Sequence, residues 1–191
     1  MSESINQFKI PSANPAEEGA TSAVSYGCSQ SERFDSRTVC GADKSKAEAA
    51  RELFLSGCNC SQAVFCAFAD DFGVDRALAG KVACGLGGGL GRMREVCGAV
   101  SGAALVFGLV YGDDKTLTYA KVQEFCARFK KETGSVICRE LLEGAKVQVE
   151  TGGKPEERGE RYYRKRPCAD LVAFAAGILE DMLGEEGQVE K

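Results

Sequence analysis

The stretch GLGGGLGRMREVCGAVSGAALVFG, residues 85–108, joins a glycine-rich turn to a charged link and then to a run of small and apolar residues. The uncharged run from Val96 to Gly112 is shorter than the roughly 20 apolar residues needed to cross a bilayer, and it is rich in Gly and Ala. It reads as a buried helix. The glycine turn suggests a phosphate loop, but no strand is predicted before it and no Gly-Lys-Ser/Thr follows, so both phosphate-binding signatures fail on context. Its glycines point instead to close backbone approach and positive φ. Gly98, Ala99, Gly102 and Ala103 recur at four-residue spacing, which lets a second helix pack tightly against this one.

Helical patterns continue on both sides. Upstream, Ser45 and Glu48 form a capping-box signature, and Ala47, Ala50, Leu53 and Phe54 share one face until Gly57. Asn59 with Gln62 starts the next helix, with Val64, Phe65, Phe68 and Phe72 as its buried stripe and Gly73 as its stop. A short helix follows Asp75. Downstream, Asp113 or Asp114 caps a helix through Lys131, with Leu117, Val122, Phe125 and Phe129 inward. Ser135 caps VICRELLEG, which Gly144 stops. Pro167 opens the last helix, where its missing N–H costs nothing, and Gly184 ends it.

Residues 145–166 are charged and contain glycine, and they read as an exposed, solvated loop. VQVE within them alternates, but a lone strand would have no partner. The expected fold is all-α: a single domain of about six packed helices over 44–185. A flexible, disordered arm at 1–43 precedes it, and a flexible tail at 186–191 follows.

Composition excludes several function classes. The chain has 191 residues, 44% of them hydrophobic, and a net charge of −4, which argues against the basic footprint of a nucleic-acid binder. It has no histidine, so Ser-His-Asp and Cys-His catalysis, His-ligated zinc and CxxCH haem attachment are ruled out. No segment is predicted to span a membrane. The N-terminus lacks the basic start and apolar core of a secretory signal, so a reducing, cytoplasmic location is expected. There the ten cysteines serve as packers, metal ligands or redox thiols rather than as a disulfide framework.

Four of them share a position in this scheme. Cys60 follows the N-cap Asn59, Cys97 opens the glycine-led helix, Cys138 lies in the first turn after Ser135, and Cys168 follows Pro167. Helix first turns carry unpaired N–H groups and the positive end of the dipole, and both favour a thiolate. A helix end contributes roughly 0.3–1 kcal/mol, and one pKa unit is about 1.4 kcal/mol. A helix end alone therefore leaves a thiol mostly protonated. Holding four thiolates takes a shared metal or cluster, or a basic neighbour such as Arg92, Arg94 or Arg139. From position alone, packing and chemistry are equally open for these four. Cys66, Cys84 and Cys126 read as buried packers, Cys58 as a spare ligand beside Cys60, and Cys28 and Cys40 as thiols of the arm. No CxxC occurs, so neither a thioredoxin-like site nor a close-paired zinc or ferredoxin site is encoded locally. A four-cysteine site here requires tertiary assembly.

NCSQAV, GLGGGLGRMREVCGAVSG, GSVICRELL and a late cysteine before an apolar helix resemble the C_GCAxxG_C_C family of redox-active proteins over about residues 46–183. Cys97-Gly98-Ala99-Val100-Ser101-Gly102 supplies its CGAxxG element. The resemblance implies that the defining cysteines are Cys60, Cys97, Cys138 and Cys168, and it implies a redox role in general terms. It specifies no reaction, substrate or redox partner protein, and a homo-oligomer is compatible with it. Three chemistries fit these four residues. The first is an iron–sulfur cluster for electron transfer, with Gly98 among the glycines that offer N–H groups to sulfur. The second is a thiol–disulfide oxidoreductase using the same cysteines as redox thiols. The third is a structural zinc site in which all four cysteines are the ligands.

Overall fold

The computed structural model describes residues 44–186; the predicted arm with Cys28 and Cys40, and the tail from residue 187, lie outside the described residues. The described residues form eight α-helices and no strand: α1 (Lys46–Leu55), α2 (Cys60–Ala69), α3 (Arg76–Ala83), α4 (Gly98–Tyr111), α5 (Lys115–Thr133), α6 (Cys138–Gly144), α7 (Glu160–Lys165) and α8 (Cys168–Glu186). Local chemistry sets most of their starts. Ser45 and Asn59 each complete a reciprocal capping box, with Glu48 and Gln62. Asp75 accepts from the Leu78 N–H, and Asp114 from those of Thr116 and Leu117.

α2 is the central helix. It packs on α1, α3, α4 and α8, while α5 closes against α4 and α8. Its Ala63, Val64 and Phe68 meet a core that includes Phe54, Phe107, Phe125, Phe129, Val172 and Leu179. The small-residue face of α4 does what its spacing suggested: a Cβ on Gly102 would lie 2.7 Å from the Ser61 carbonyl oxygen and 3.0 Å from the Val64 Cβ.

Several boundaries and faces differ from the sequence reading. Leu117 and Phe72 are exposed; Phe72 sits in a 3-10 turn, Asp70–Phe72, that carries it off the buried stripe of α2. α8 runs through Gly184 to Glu186, because a helical glycine lowers propensity without breaking hydrogen bonds. α6 begins at Cys138, three residues after Ser135; the Ser135 hydroxyl accepts from the Ile137 N–H instead of capping the helix directly. Within 145–166 the chain forms α7, and it packs Tyr162 and Tyr163 against the core.

The glycine turn takes the positive φ that its glycines suggested and extends it to residues that are not glycine. Gly88, Gly89, Leu90, Gly91, Arg92 and Arg94 all have φ between 57° and 70°. Three of the six are not glycine, and each such residue costs roughly 1–2 kcal/mol. Bonds within the turn, spanning five or six residues, hold it: Arg92 N–H to Gly87 O, Arg94 N–H to Gly88 O and Glu95 N–H to Gly89 O.

A candidate four-cysteine redox site

Each of the four singled-out cysteines stands at a helix start. Cys60, Cys138 and Cys168 are the first residues of α2, α6 and α8, and Cys97 is the N-cap of α4. Three local devices bring these starts together. The chain leaving the left-handed turn pairs with the chain entering α6: Cys97 N–H donates to Val136 O at 2.8 Å and Cys138 N–H to Glu95 O at 2.7 Å. Gly98 lets α4 meet α2, since a Cβ there would sit 3.1 Å from the Cys60 Cβ, the Ser61 nitrogen and the Leu86 oxygen. Gly89 lets the turn meet α6, since a Cβ there would sit 2.7 Å from the Cys138 Cβ.

The four cysteines line one cavity of about 10 Å³, completed by Ala99, Leu141, Leu142 and Leu171. That is room for about one water. The walls between the sulfurs are apolar. Among the described residues, no three His, Cys, Asp or Glu side chains are gathered closely enough to share one metal ion. The cysteines therefore form a ring rather than a tight knot.

Burial and charge divide the ring. Burial pushes Cys97 up to about 12, against the lowering effect of the Ala99 and Val100 N–H groups, which point toward its sulfur without completing a cap hydrogen bond. Burial also raises Cys138, while the charge and hydrogen bond of Arg94 pull the other way. The Cys60 thiol donates to Cys168, and this bond, with burial, holds Cys60 well above the usual thiol range. Cys168 alone goes down, first because it accepts from Cys60 and then because Arg166, Arg94 and Arg158 face it. For Cys97 and Cys138, desolvation outweighs the helix ends, in line with the small magnitude a single dipole supplies.

Of the three arginines suggested by sequence, only Arg94 acts on the thiols. Arg139 reaches Glu95 at 3.9 Å on the surface, and Arg92 is engaged by Glu156 at 3.1 Å. Arg158 and Arg166 escape a sequence reading because they lie in the segment that looks solvated; their positive charges and the Tyr162 ring face Cys168. Tyr162 is itself pushed up to about 12 by burial and the nearby thiols. Gly98 contributes close approach, while the N–H groups aimed at sulfur belong to Ala99 and Val100.

The other cysteines among the described residues stand apart from the cavity. Cys66 is buried inside α2, with its sulfur 3.8 Å from Arg76 O, and Cys58 is buried in the turn before α2. Cys126 is half-buried in α5. Cys84 is exposed, contrary to its reading as a packer, because the 3-10 turn at Cys84–Leu86 rotates it outward.

The family model described as "Putative redox-active protein (C_GCAxxG_C_C)" matches residues 58–182, more than half of the chain and every residue of this site. The chain belongs to that family. Its label writes the central motif with glycine before cysteine, whereas in this C_GCAxxG_C_C member Cys97 comes first and Gly98 follows. That order makes the cysteine the N-cap of α4 and puts the glycine at the contact with Cys60. No curated protein and no solved structure matches the chain. No helix among the described residues is long and apolar enough to cross a membrane.

Proposed function

We propose that Cys60, Cys97, Cys138 and Cys168 hold an iron–sulfur cluster and that the protein carries single electrons. The observation that carries this reading is the convergence of four cysteines, from four helix starts, on one apolar cavity faced by arginines. The donor set suits such a cluster: four thiols, no competing carboxylate in the cavity wall, and main-chain N–H groups near sulfur. The cavity as it stands has room for about one water, so a cluster would enter only as the four helix starts move apart. A bound cluster would supply a reversible one-electron couple. The chain's own residues would do the rest. Arg94, Arg158 and Arg166 offset the negative charge of four thiolates, and Leu141, Leu142 and Leu171 keep water out. Anaerobic reconstitution with iron and sulfide tests the reading: brown protein with stoichiometric iron supports it, and colourless, iron-free protein overturns it.

A second reading has its own observation. The Cys60 thiol donates to Cys168, whose thiol is shifted toward the thiolate, so exchange with a partner disulfide, which is reduced to two thiols as residues 60 and 168 become linked, is chemically direct. A disulfide linking residues 60 and 168 on mild oxidation, mapped by peptide mass spectrometry, supports this reading. If the two cysteines stay unlinked, it falls.

A further inference from the structure

The segment between α6 and α8 is bound to the rest of the molecule almost entirely through side chains. Among the described residues, none from 148 to 158 makes a backbone–backbone hydrogen bond. Arginines reach in to satisfy the segment's carbonyls. Arg94 Nε donates to Glu150 O at 2.7 Å, and Arg92 Nη1 donates to Gly152 O at 3.3 Å and to Lys154 O. At the centre is Glu156. Its carboxylate accepts from Arg166 at 2.6 and 2.8 Å and from Arg92 at 3.1 Å, and it lies 3.6 Å from Arg94. Beyond it, Arg158 donates to Cys58 O at 2.6 Å and lies over the Phe54 ring at 4.9 Å, while the Tyr163 hydroxyl donates to Leu55 O at 3.3 Å.

Position gives these contacts a purpose. Arg158, Tyr162 and Arg166 face Cys168. The segment itself folds around an open groove of about 790 Å³, lined entirely by residues between Ala145 and Arg166. The segment is thus an outer wall over the Cys60 and Cys168 side of the site, fastened by Arg158 to Cys58 O, while the cavity's own lining comes from other elements. A wall ordered by a few side-chain contacts, with no backbone ladder, belongs to the low-stability end of a fold and opens before the helices do.

We propose that residues 148–166 form a cover, latched by Glu156 against the glycine turn, that opens the Cys60 and Cys168 side of the site to solvent and so controls what reaches the sulfurs. The proposal holds for any chemistry of the cysteines, because it rests on the wall and its fastenings alone. Opening breaks the pairs of Glu156 with Arg92 and Arg94, the carbonyl contacts of Arg92 and Arg94, and the bonds of Arg158 to Cys58 O and Tyr163 to Leu55 O; the Glu156–Arg166 pair moves with the cover, and α1–α6 and α8 stay packed.

The test uses the full chain, reduced and anaerobic, labelled before any iron is supplied. Glu156→Gln and Arg92→Gln each weaken the latch at a different point. Glu160→Gln, which loses only an exposed pair with Arg164 on the same segment, is the control. Each protein is labelled with bulky 5,5′-dithiobis(2-nitrobenzoate) and, separately, with small methyl methanethiosulfonate, and the rate at each cysteine is read by mass spectrometry. Two other cysteines calibrate every sample. Exposed Cys84 reports intrinsic reactivity, and buried Cys66, away from the cavity, reports opening of the core. Latch loss should raise bulky-reagent labelling of Cys60 and Cys168 roughly tenfold or more relative to Cys66, and small-reagent labelling by less. Three outcomes overturn the cover: no gain in either latch variant, a gain shared equally by Cys66, or an equal gain for both reagents, which would mark a change of thiol charge. An equal gain in Glu160→Gln would overturn the assignment of the latch to Glu156.

Discussion

Gly89→Ala probes the contact that brings the left-handed turn to the cysteine site. The new Cβ would sit 2.7 Å from the Cys138 Cβ, 2.7 Å from the Glu95 nitrogen and 2.9 Å from the Arg94 carbonyl carbon. Optimal carbon contacts lie near 3.5–4.0 Å, so the overlap is about 1 Å. None of these three atoms is the end of a flexible side chain, so the strain falls on the backbone. Gly89 also has φ of 70°, where an L side chain adds roughly 1–2 kcal/mol. Overpacking adds about 1–3 kcal/mol. Reduced freedom of the unfolded chain returns about 0.4–1 kcal/mol. The net loss is about 1–5 kcal/mol, about 3 kcal/mol at mid-range, against the roughly 5–15 kcal/mol typical of a domain. Gly73→Ala supplies the reference. It has nearly the same φ, 66°, with nothing within 4 Å of the added Cβ, so it should cost only about 1 kcal/mol. Urea unfolding followed by far-ultraviolet circular dichroism, with m values compared, measures both. If Gly89→Ala falls within about 0.5 kcal/mol of Gly73→Ala, the turn does not press on Cys138 and the assembly argued above is wrong.

Other expectations follow from the same geometry. Single Cys→Ser changes at Cys60, Cys97, Cys138 and Cys168 should each remove most of the iron bound after anaerobic reconstitution, whereas Cys84→Ser should leave it unchanged; iron analysis of the five proteins decides. Gly102→Ala places a Cβ 2.7 Å from Ser61 O, so overpacking of about 1–3 kcal/mol should outweigh a helix-propensity gain of about 1 kcal/mol, and the melting temperature should fall. The Tyr162 phenol ionises at about 12 in the folded chain against about 10 unfolded. The fold favours the neutral form, so this contribution is complete below about pH 10 and is lost as pH rises toward about 12. In an absorbance titration at about 295 nm, Tyr162→Phe should delete amplitude near pH 12; loss of amplitude near pH 10 would contradict the assigned burial.

Helix starts were legible in the sequence because capping is local: Ser45 with Glu48, and Asn59 with Gln62, carry their partners three residues away. The four cavity cysteines were legible for the same reason, each sitting within a helix first turn. Cys84 and Phe72 differ from their sequence reading because short 3-10 turns rotate a side chain by an amount that periodicity does not carry. Arg158 and Arg166 look solvated in the sequence because charge in a glycine-containing stretch usually is. Their partners, Cys58 O and Glu156, become neighbours only once the segment has folded back over α1 and the glycine turn.

The sequence by itself determined the all-α class, most helix starts and the four thiols placed at them, because periodicity and capping act over a few residues. Tertiary structure alone decided that the four starts meet, that the glycine turn presses on Cys138 and carries Leu90, Arg92 and Arg94 into the left-handed region, and that a charged segment lies over the sulfurs with arginines. It also decided which thiol is favoured as a thiolate. That outcome depends on desolvation and on charges brought in from distant parts of the chain, as when Arg158 reaches across 100 residues to Cys58 O beside α2, and no local pattern encodes it.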